Sequence, residues 1–575
     1  MKTLIRLMLI VICTTRFCGS IYAQVAGRND IVIGELMADP SPPVSLPNNE
    51  WIELCNISAT AFNLLGWRIG DASGQSGPMP SYILLPDSFV IVCTGSAVAT
   101  MSAFGPAISV TGFPSLDNTG DQIFLRSPQN RIIHAVSYSD SWYRNALKKE
   151  GGWSLEMIDP KNPCSGITNW TASNDVKGGS PGKKNSVDAV NPDISSPQLL
   201  RAFAADSLHI TLVFDEPLDS VKAAVTANYT VSDGIGLPQL AIPVIPAFEK
   251  VILRLNSPLI RGIVYTITVS VVTDCAGNPV DTKNMVRVGL SSVADSLDIV
   301  INEILFNPLS NGTDYVEMYN RSEKIIDLNQ VYIANRNSAG VVSNIKQLSA
   351  DSYLFFPMDF MVITEDPGIV KRDFITQNMD AFVTVPSMPS FNDDKGSVII
   401  LNAQGHITDE LNYDEKWHFK LIDNKEGVAL ERIDHNAPTP DPGNWHSAAT
   451  SVGYGTPTYK NSQYRIDLQL QGEITVMPEI ISPDNDGMDD FATIGYHFPS
   501  PGYVANISIF DANGRLVRYL QRNALCGITG YFRWDGLGEK MQRLPVGIYI
   551  IYTEVFNLEG KKKAFKQVIV IARRN

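Results

Sequence analysis

The sequence contains few cysteines for its length and no cysteine motif. Two of the seven cysteines lie in the first two dozen residues. The other five are Cys55, Cys93, Cys164, Cys275 and Cys526. An odd number without a C-x-x-C pair predicts neither a disulfide framework nor a zinc site. Cys55 and Cys93 both lie in strand-like runs, where they could pair or persist as buried free thiols.

Long apolar runs are missing except near the N-terminus. There Lys2 and Arg6 precede the apolar residues 7–12, and a plausible cleavage site ends at Ala23. The run is far shorter than the roughly 20 apolar residues of a membrane-spanning helix. We therefore expect residues 1–23 to be a signal peptide. The mature chain is then expected to be soluble, to have no transmembrane segment and to lie outside the cytoplasm.

Basic residues are fewer than acidic residues, 46 against 60. The formal net charge is −14, and it becomes −17 when Lys2, Arg6 and Arg16 leave with the signal peptide. A surface of this sign repels phosphate backbones, so general nucleic-acid binding is not expected. The remaining chain of about 550 residues is too long for one hydrophobic core and predicts three to five domains.

Helical periodicity is almost absent, and the chain reads as β-structure. Apolar and polar residues alternate in "WIEL" (51–54), "YVEMY" (315–319) and "SVIILN" (397–402). Turn-forming stretches such as "DNTGD" and "NAQGH" separate these runs at the spacing typical of a sandwich. The predicted fold class is all-β, with tandem immunoglobulin-like β-sandwich domains.

One block of the chain occurs twice. "IVIGELMADP" (31–40) returns as "IVINEILFNP" (299–308). Five further pairs follow in the same order: "EWIELCNIS" with "DYVEMYNRS", "DSFVIV" with "MDFMVI", "FPSLDNTGDQIFL" with "MPSFNDDKGSVIIL", "GWSLEMIDP" with "GVALERIDH", and "NW" with "NW". Six ordered matches over about 160 residues in each copy indicate a duplication. The two copies should superimpose, with Trp67 equivalent to Val331 and Leu155 to Leu430 in their cores.

The repeated motifs "I-x-E-I/L-x-x-x-P", "E/D-W/Y-I/V-E-L/M-x-N" and "L-E-R/M-x-D … N-W" resemble the lamin tail domain. The resemblance covers 27–189, the first copy, and 297–463, the second copy. It implies an immunoglobulin-like sandwich also found in secreted bacterial proteins. The family is known mainly for interaction and scaffolding, so the resemblance implies a fold more than an activity.

Residues 193–290, between the copies, resemble a bacterial Ig-like domain of surface proteins. "HITLVFDEPLD" (209–219) and "YTITVSVVTDCAGNPV" (265–280) contribute the strands. The segment from Asp274 to Pro279 is a turn by its chemistry, because Gly and Asn tolerate positive φ and Pro ends ladder pairing.

Residues 470–575, the C-terminal domain, resemble the Ig-like sorting domains of proteins exported by the type IX system of Bacteroidetes. "NISIFDANGRLVRYL" predicts a hairpin around residues 512–514, and "LPVGIYIIYTEV" and "KKKAFKQVIVIARR" predict the closing strands. The resemblance implies recognition by the type IX secretion machinery. The ending Arg573-Arg574-Asn575 departs from the common pattern and leaves the sorting subtype open.

An acidic loop, "SPDNDGMDDF" (482–491), is the sharpest chemical signal. Four carboxylates surround Gly487, and they belong to Asp484, Asp486, Asp489 and Asp490. Ca²⁺ takes several oxygen ligands on a loop that a glycine lets turn sharply. The spacing resembles part of an EF-hand, but Thr493 stands where the bidentate Glu would be. A structural calcium ion and a solvated acidic turn are the two interpretations.

Glu35 with Glu53, and Glu303 with Glu317, recur in the two copies. A catalytic acid–base pair is conceivable. However, the members are 18 residues apart in one copy and 14 in the other, and no histidine or nucleophile repeats beside them. Hydrogen bonding within the sandwich is favoured. "GGSPG" (178–182) matches a hydrolase elbow only formally, because Pro181 lacks the N–H that an oxyanion hole needs.

Histidines and tryptophans give no strong motif. The histidines are scattered singly, and a zinc or nuclease centre formed by His435 and His446 is the alternative to packing. Trp153, Trp170 and Trp445 are predicted core residues. Trp51, Trp142 and Trp417, near turns, leave carbohydrate binding open.

The sequence therefore predicts a secreted or cell-surface protein with a structural or adhesive, non-catalytic role, exported by type IX secretion. Its partners would be that machinery and a protein or glycan ligand, bound with avidity through repeated modules. The alternative is an extracellular hydrolase of nucleic acid or polysaccharide, or an accessory binding subunit of one.

Overall fold

The computed structural model describes residues 25–464, 473–558 and 562–573. The predicted signal peptide lies outside these residues. Strands account for 39% and helices for 8% of the structure, so the predicted all-β class is confirmed. The chain forms two compact units, one of Met1–Pro258 with Tyr265–Arg287 and one of Leu259–Val264 with Val288–Asn575. Among the described residues, no helix is both long and apolar enough to cross a lipid bilayer.

The first copy forms two main sheets in the first unit. Its strands are β1 (Ile31–Met37), β2 (Trp51–Asn56), β3 (Phe62–Asn63), β4 (Arg68–Gly70), β5 (Ile83–Leu84), β6 (Phe89–Cys93), β7 (Ala107–Ser109), β8 (Gly120–Arg126), β9 (Ile132–Ser139), β10 (Leu155–Met157) and β11 (Trp170–Ala172). One sheet has the order β11-β10-β1-β2-β6-β7, another is β4-β8-β9, and β3 pairs with β5. Helix α1 (Val98–Met101) follows β6.

Strand β1 is buried along its whole length, so both faces of the six-stranded sheet are covered. Side chains alternate between the faces of a strand. Leu36 and Ile52 therefore join the main core between the sheets, whereas Met37 and Trp51 join a second apolar cluster on the other face. That second face carries the candidate site described below.

The Ig-like domain follows with two further sheets, β12-β13-β16-β15 and β14-β17-β18. Its strands are β12 (Leu199–Ala204), β13 (His209–Phe214), β14 (Tyr229–Val231), β15 (Leu240–Pro243), β16 (Lys250–Arg254), β17 (Tyr265–Val269) and β18 (Met285–Val288). A short helix, α2 (Ser220–Ala223), is capped by Asp219. The predicted turn after Asp274 is present, with Gly277 at a φ of 102°.

The second copy belongs to the second unit. Its strands are β19 (Ile299–Leu305), β20 (Tyr315–Asn320), β21 (Ile326–Asp327), β22 (Val331–Arg336), β23 (Val342–Gln347), β24 (Leu354–Phe355), β25 (Phe360–Thr364), β26 (Phe382–Thr384), β27 (Lys395–Asn402), β28 (Ile407–Asp414), β29 (Leu430–Arg432) and β30 (Trp445–Ser447). Helix α3 (Pro367–Asp373) follows β25. The sheets are β26-β25-β20-β19-β29-β30, β23-β22-β27-β28 and β21-β24.

The two copies share strand order and register. The order β30-β29-β19-β20-β25-β26 repeats β11-β10-β1-β2-β6-β7. A register shift lies between Ile33 and Glu35 in β1 and between Ile301 and Glu303 in β19. The core residues expected from the duplication, which are Trp67, Val331, Leu155 and Leu430, are all buried.

The C-terminal domain pairs a three-stranded sheet, β31-β33-β36, with a five-stranded sheet, β32-β38-β37-β34-β35. Its strands are β31 (Glu473–Met477), β32 (Ile480–Ile481), β33 (Ala492–His497), β34 (Tyr503–Asp511), β35 (Leu516–Cys526), β36 (Thr529–Trp534), β37 (Gly547–Asn557) and β38 (Lys562–Ile571). Strands β34 and β35 form the predicted hairpin.

Short 3₁₀ helices occupy several connections. They are Asp140–Tyr143, Lys148–Glu150, Gly166–Asn169, Thr226–Asn228, Leu328–Gln330, Glu415–Trp417, Pro442–Asn444 and Thr450–Val452.

Candidate functional site

The acidic loop connects β32 to β33 in the C-terminal domain. Carboxylate oxygens of Asp484, Asp486 and Asp490 lie within 4.8 Å of one another. Asp489, the fourth predicted member, does not join them. It adopts a positive φ of 54°, and its backbone carbonyl accepts a hydrogen bond from the Ser482 N–H at 2.8 Å. Three of the four predicted residues are thus brought together.

Backbone N–H groups hold this loop. The Asp490 carboxylate accepts from the N–H of Asn485 at 2.6 Å and of Gly487 at 2.8 Å. Asp486 accepts from the Met488 N–H at 2.8 Å. These bonds fix the oxygens in place, but the loop is largely exposed. Calcium binding here stays a prediction. We expect an exposed loop of this kind to bind calcium only weakly.

A different set of carboxylates lies inside the first copy. Glu156 on β10, Glu35 on β1 and Glu53 on β2 are direct cross-strand partners, and we call them the first carboxylate row. Side chains at such positions share one face, with Cβ atoms about 5 Å apart. All three are at most 1% exposed. The row lies on the sheet face opposite the main core.

The second copy repeats the arrangement as the second carboxylate row. Glu431 on β29, Glu303 on β19 and Glu317 on β20 are cross-strand partners and are fully buried. Sequence reasoning singled out two glutamates per copy and missed Glu156 and Glu431. The signal was present, since the aligned segments "GWSLEMIDP" and "GVALERIDH" carry both.

The "GGSPG" segment covers the first row. Ser180 donates its N–H to Glu35 at 2.7 Å and its hydroxyl to Glu156 at 2.8 Å. The Gly182 N–H donates to Glu53, and the Ser154 hydroxyl donates to Glu35 at 2.6 Å. This segment is therefore a structural cap, in agreement with its rejection as a hydrolase elbow.

An equivalent cap covers the second row. The Thr456 N–H donates to Glu303 at 2.9 Å, and its hydroxyl donates to Glu431 at 2.9 Å. The Thr458 N–H donates to Glu317, and the Tyr315 hydroxyl donates to Glu303 at 2.8 Å. Both copies thus bury three adjacent carboxyl groups under one loop.

Burial changes the protonation of these rows. It raises the pKa of Glu35 to about 8, with repulsion from Glu156 adding to the effect. Burial and repulsion from Glu431 likewise raise the pKa of Glu303 to about 8. The pKa values of Glu53 and Glu317 also lie well above the usual range, first because of burial. Each row therefore retains protons at neutral pH, and none of its members can reach a substrate in solvent.

Four histidines, His134, His418, His435 and His446, make contacts within the fold. The Nδ1 atom of His134 accepts the Ile33 N–H at 3.2 Å. Burial lowers the pKa of His134 and of His418 to about 3 and that of His435 to about 4. His435 stacks on Tyr319 and bonds to Asn302, whereas His446 bonds to a neighbouring backbone carbonyl. Neither belongs to a metal-capable cluster in the part of the chain that the structure describes.

The tryptophans left open for carbohydrate are mostly core residues. Trp51 is fully buried, and Trp142 is only 8% exposed and lies against Trp170. They cannot serve as sugar-stacking platforms. Trp417 is half-buried. The expected core positions Trp170 and Trp445 are buried, and Trp153 packs against the core.

The cysteines require a correction. A disulfide joins Cys164 to Cys275, with Cα atoms 6.1 Å apart. The lack of a cysteine motif gave no hint of it, because the partners are 111 residues apart. Cys55 and Cys93 are buried free thiols. Cys55 lies opposite Phe89 and Cys93 opposite Trp51, so four residues of strand separate them and exclude a disulfide.

Comparisons with known proteins give one family match and several distant structural matches. Residues 24–140 match the family model of the Lamin Tail Domain. No curated protein sequence matches the chain. One similar solved structure is the N-terminal part of the bacterial S-layer protein SbsC, at 15% identity over 29% of this chain and 45% of that chain, with a TM-score of 0.16. The chain thus aligns with less than half of that protein.

Two other similar solved structures come from Bacteroides thetaiotaomicron and Porphyromonas gingivalis. A DUF4876 family protein from Bacteroides thetaiotaomicron is 12% identical over 39% of this chain and 87% of that chain, with a TM-score of 0.18. PorZ, a surface component of the type-IX secretion system of Porphyromonas gingivalis, is 12% identical over 96% and 83%, with a TM-score of 0.15.

Proposed function

We propose that this chain is a non-catalytic structural or adhesive protein of the bacterial surface or medium, exported by type IX secretion. The burial of the two carboxylate rows carries the proposal. The acids that recur in both copies are at most 1% exposed and are covered by the copies' own loops. A catalytic acid must come within hydrogen-bond reach of a substrate. The duplicated unit is therefore best understood as a scaffold.

The outer face of the C-terminal domain supports the export step. Val568, Ile550, Phe510 and Leu516 lie side by side on β38, β37, β34 and β35, and we call them the apolar row. Val568 is 59% and Leu516 39% exposed, and the two between them are half-buried. The solvent face of an antiparallel sheet is normally polar. A contiguous apolar strip on such a face suits recognition by another protein, which we take to be the secretion machinery.

Truncation tests export. In a type IX-competent host, the chain lacking residues 470–575 should remain in the periplasm, whereas the full chain reaches the surface or medium. Replacing Val568 and Leu516 together by Ser should reduce delivery and leave the fold intact, because both side chains are exposed. Met541→Ser, at another exposed apolar residue of the same domain, is the matched control. Normal display of the truncated chain would contradict the proposal.

Ligand binding and catalysis need separate assays. The secreted protein should bind a surface protein or glycan on an array, more tightly when both copies are present than when one is deleted. It should not cleave nucleic acids or polysaccharides. Turnover of either polymer by the purified chain, abolished by a point substitution, would favour the hydrolase alternative.

A further inference from the structure

A second cluster of acids lies in the first unit, at the start of the Ig-like domain. Asp193 belongs to the segment before β12, Glu216 follows β13, and Asp274 begins the turn after β17. Their carboxylate oxygens lie within 4.8 Å of one another. Three distant segments of chain thus bring three like charges to one place.

The cluster is much less exposed than the acidic loop. Asp274 is fully buried, Glu216 is 8% exposed and Asp193 is half-buried. Taking carboxylates out of water is costly, and placing them together adds repulsion, unless a positive charge or hydrogen-bond donors compensate.

Two of the three have such donors. Asp274 accepts from the N–H groups of Gly277 at 2.6 Å and Asn278 at 2.8 Å. Asp193 accepts from the Ser165 hydroxyl at 2.9 Å and the Ser195 N–H at 3.0 Å. These bonds hold both carboxylates in position.

Glu216 differs from the other two. More than nine-tenths of it is buried, and its carboxylate points into the cluster. Within residues 25–464, 473–558 and 562–573, the charged groups that act on this carboxylate are all acids, namely Asp193, Asp215 and Asp274, and no protein group donates a hydrogen bond to it. A largely buried carboxylate that faces two other acids without a protein donor is unfavourable as an anion by itself. A cation bound among the three would supply the compensating charge.

We propose that Asp193, Glu216 and Asp274 hold a calcium ion that fastens the segment before β12 to the Ig-like domain. The ligand atoms are all carboxylate oxygens, which suits a hard divalent cation and not zinc or copper. Calcium also tolerates irregular geometry, whereas magnesium demands a near-ideal octahedron.

The surrounding chain explains what the ion would do. Ser165, which holds Asp193, follows Cys164, and Cys275 follows Asp274, so the disulfide joins the same two segments. Asn278 also donates its side-chain amide to the Asp193 carbonyl at 3.2 Å. The ion and the disulfide would together fix the first copy to the Ig-like domain. This inference does not depend on the proposed function.

The test uses the full secreted chain, with the acidic loop disabled by Asp484→Asn and Asp486→Asn so that one candidate site remains. After chelation, calorimetric titration with CaCl₂ should show one bound ion and a higher unfolding temperature. Adding Glu216→Gln should weaken binding at least tenfold and remove that temperature shift. In chelator alone, Glu216→Gln should unfold at the same or a higher temperature, because a buried charge has been removed.

Asp215→Asn is the matched control. Its carboxylate accepts the Gln198 N–H at 2.7 Å outside the cluster, and an Asn oxygen can do the same. This variant should keep calcium binding within a few-fold. Two results would overturn the proposal: no calcium binding by the parent, or an unchanged calcium response in Glu216→Gln. A loss of stability in chelator caused by Glu216→Gln would instead assign Glu216 a purely structural role.

Discussion

In the two copies, the same backbone N–H group donates its hydrogen bond to different kinds of side chain. In the first copy, the Ile33 N–H beside the register shift donates to His134 at 3.2 Å. In the second, the equivalent Ile301 N–H donates to Asp409 at 2.8 Å. The acceptor is a neutral imidazole in one copy, because burial lowers the pKa of His134, and a carboxylate in the other.

The Asp409 carboxylate is paired with a buried arginine. Arg432 lies 3.4 Å from Asp409, and both side chains are at most 2% exposed. The first copy has Met157 at the position of Arg432, opposite Trp170 as Arg432 is opposite Trp445. The fold thus requires an acceptor at this place but not a particular residue, and a buried anion requires a buried cation. The carboxylate rows, in contrast, are the same in both copies.

Removing Arg432 should have the largest effect. Arg432→Met leaves Asp409 as an unpaired buried anion, and it also removes donors from the carbonyls of Ile301 and Ala437. We expect the free energy of unfolding of the second unit to fall by about 3–5 kcal/mol, measured by denaturant titration. Arg432→Met with Asp409→His, which copies the first copy's pair, should recover part of this loss. If the double variant were less stable than Arg432→Met, the two solutions would not be interchangeable.

Removing a cap hydroxyl should cost less. The Thr456 hydroxyl donates to Glu431 and also lies 3.0 Å from Glu303, so Thr456→Val leaves buried carboxyl oxygens without that donor. The expected loss is about 1–3 kcal/mol in thermal or chemical unfolding. Thr456→Ser keeps the hydroxyl and should behave like the wild type. Ser180→Ala should act similarly in the first unit, and a neutral result in both copies would mean that the hydroxyls are dispensable.

The rows also predict a pH dependence. A carboxyl group whose pKa is about 8 when folded holds a proton that the unfolded chain releases near 4.5. Its contribution to stability is therefore complete below about pH 4.5 and is lost as the pH rises through about 8, with a slope of up to about 1.4 kcal/mol per pH unit. Glu35→Gln and Glu303→Gln mimic the protonated form. Each should flatten the stability profile between pH 5 and 8, and parallel profiles for variant and wild type would contradict raised pKa values.

Patterns local in the sequence predicted the fold class, the duplication and the buried positions Leu155 and Leu430. Alternation within a strand shows which residues share a face. It does not show which strand lies alongside. The recurrence of Glu156 and Glu431 was visible in the aligned segments, but their place in the rows was not, because β10 and β29 reach their partners only through tertiary pairing. The same limit applies to Cys164 with Cys275, and to Asp193 with Glu216.

The proximity of Asp484, Asp486 and Asp490 could be predicted because these residues are close in sequence, so no long-range contact is needed to bring their oxygens together. Asp489 lies outside the gathered three, at a residue with a positive φ. A positive φ at that residue turns the chain, and composition alone gives no sign of it.

The smallest expected effect concerns this loop, whose exposed acids contrast with the buried rows. The rows can compensate their charge by keeping protons, whereas the exposed carboxylates of the loop can be compensated by a cation. At free calcium ten times the dissociation constant, binding would add about 1.4 kcal/mol to the stability of the folded state, and only about 0.4 kcal/mol when the two are equal. In the full chain carrying Glu216→Gln, calcium should raise the unfolding temperature of the C-terminal domain slightly, and Asp484→Asn with Asp486→Asn should remove that rise. Asp489→Asn is the internal control, because its carboxylate stands outside the cluster, and it should keep most of the response. An equal loss of response in Asp489→Asn would mean that calcium binding depends on the total charge of the loop and not on the three gathered oxygens.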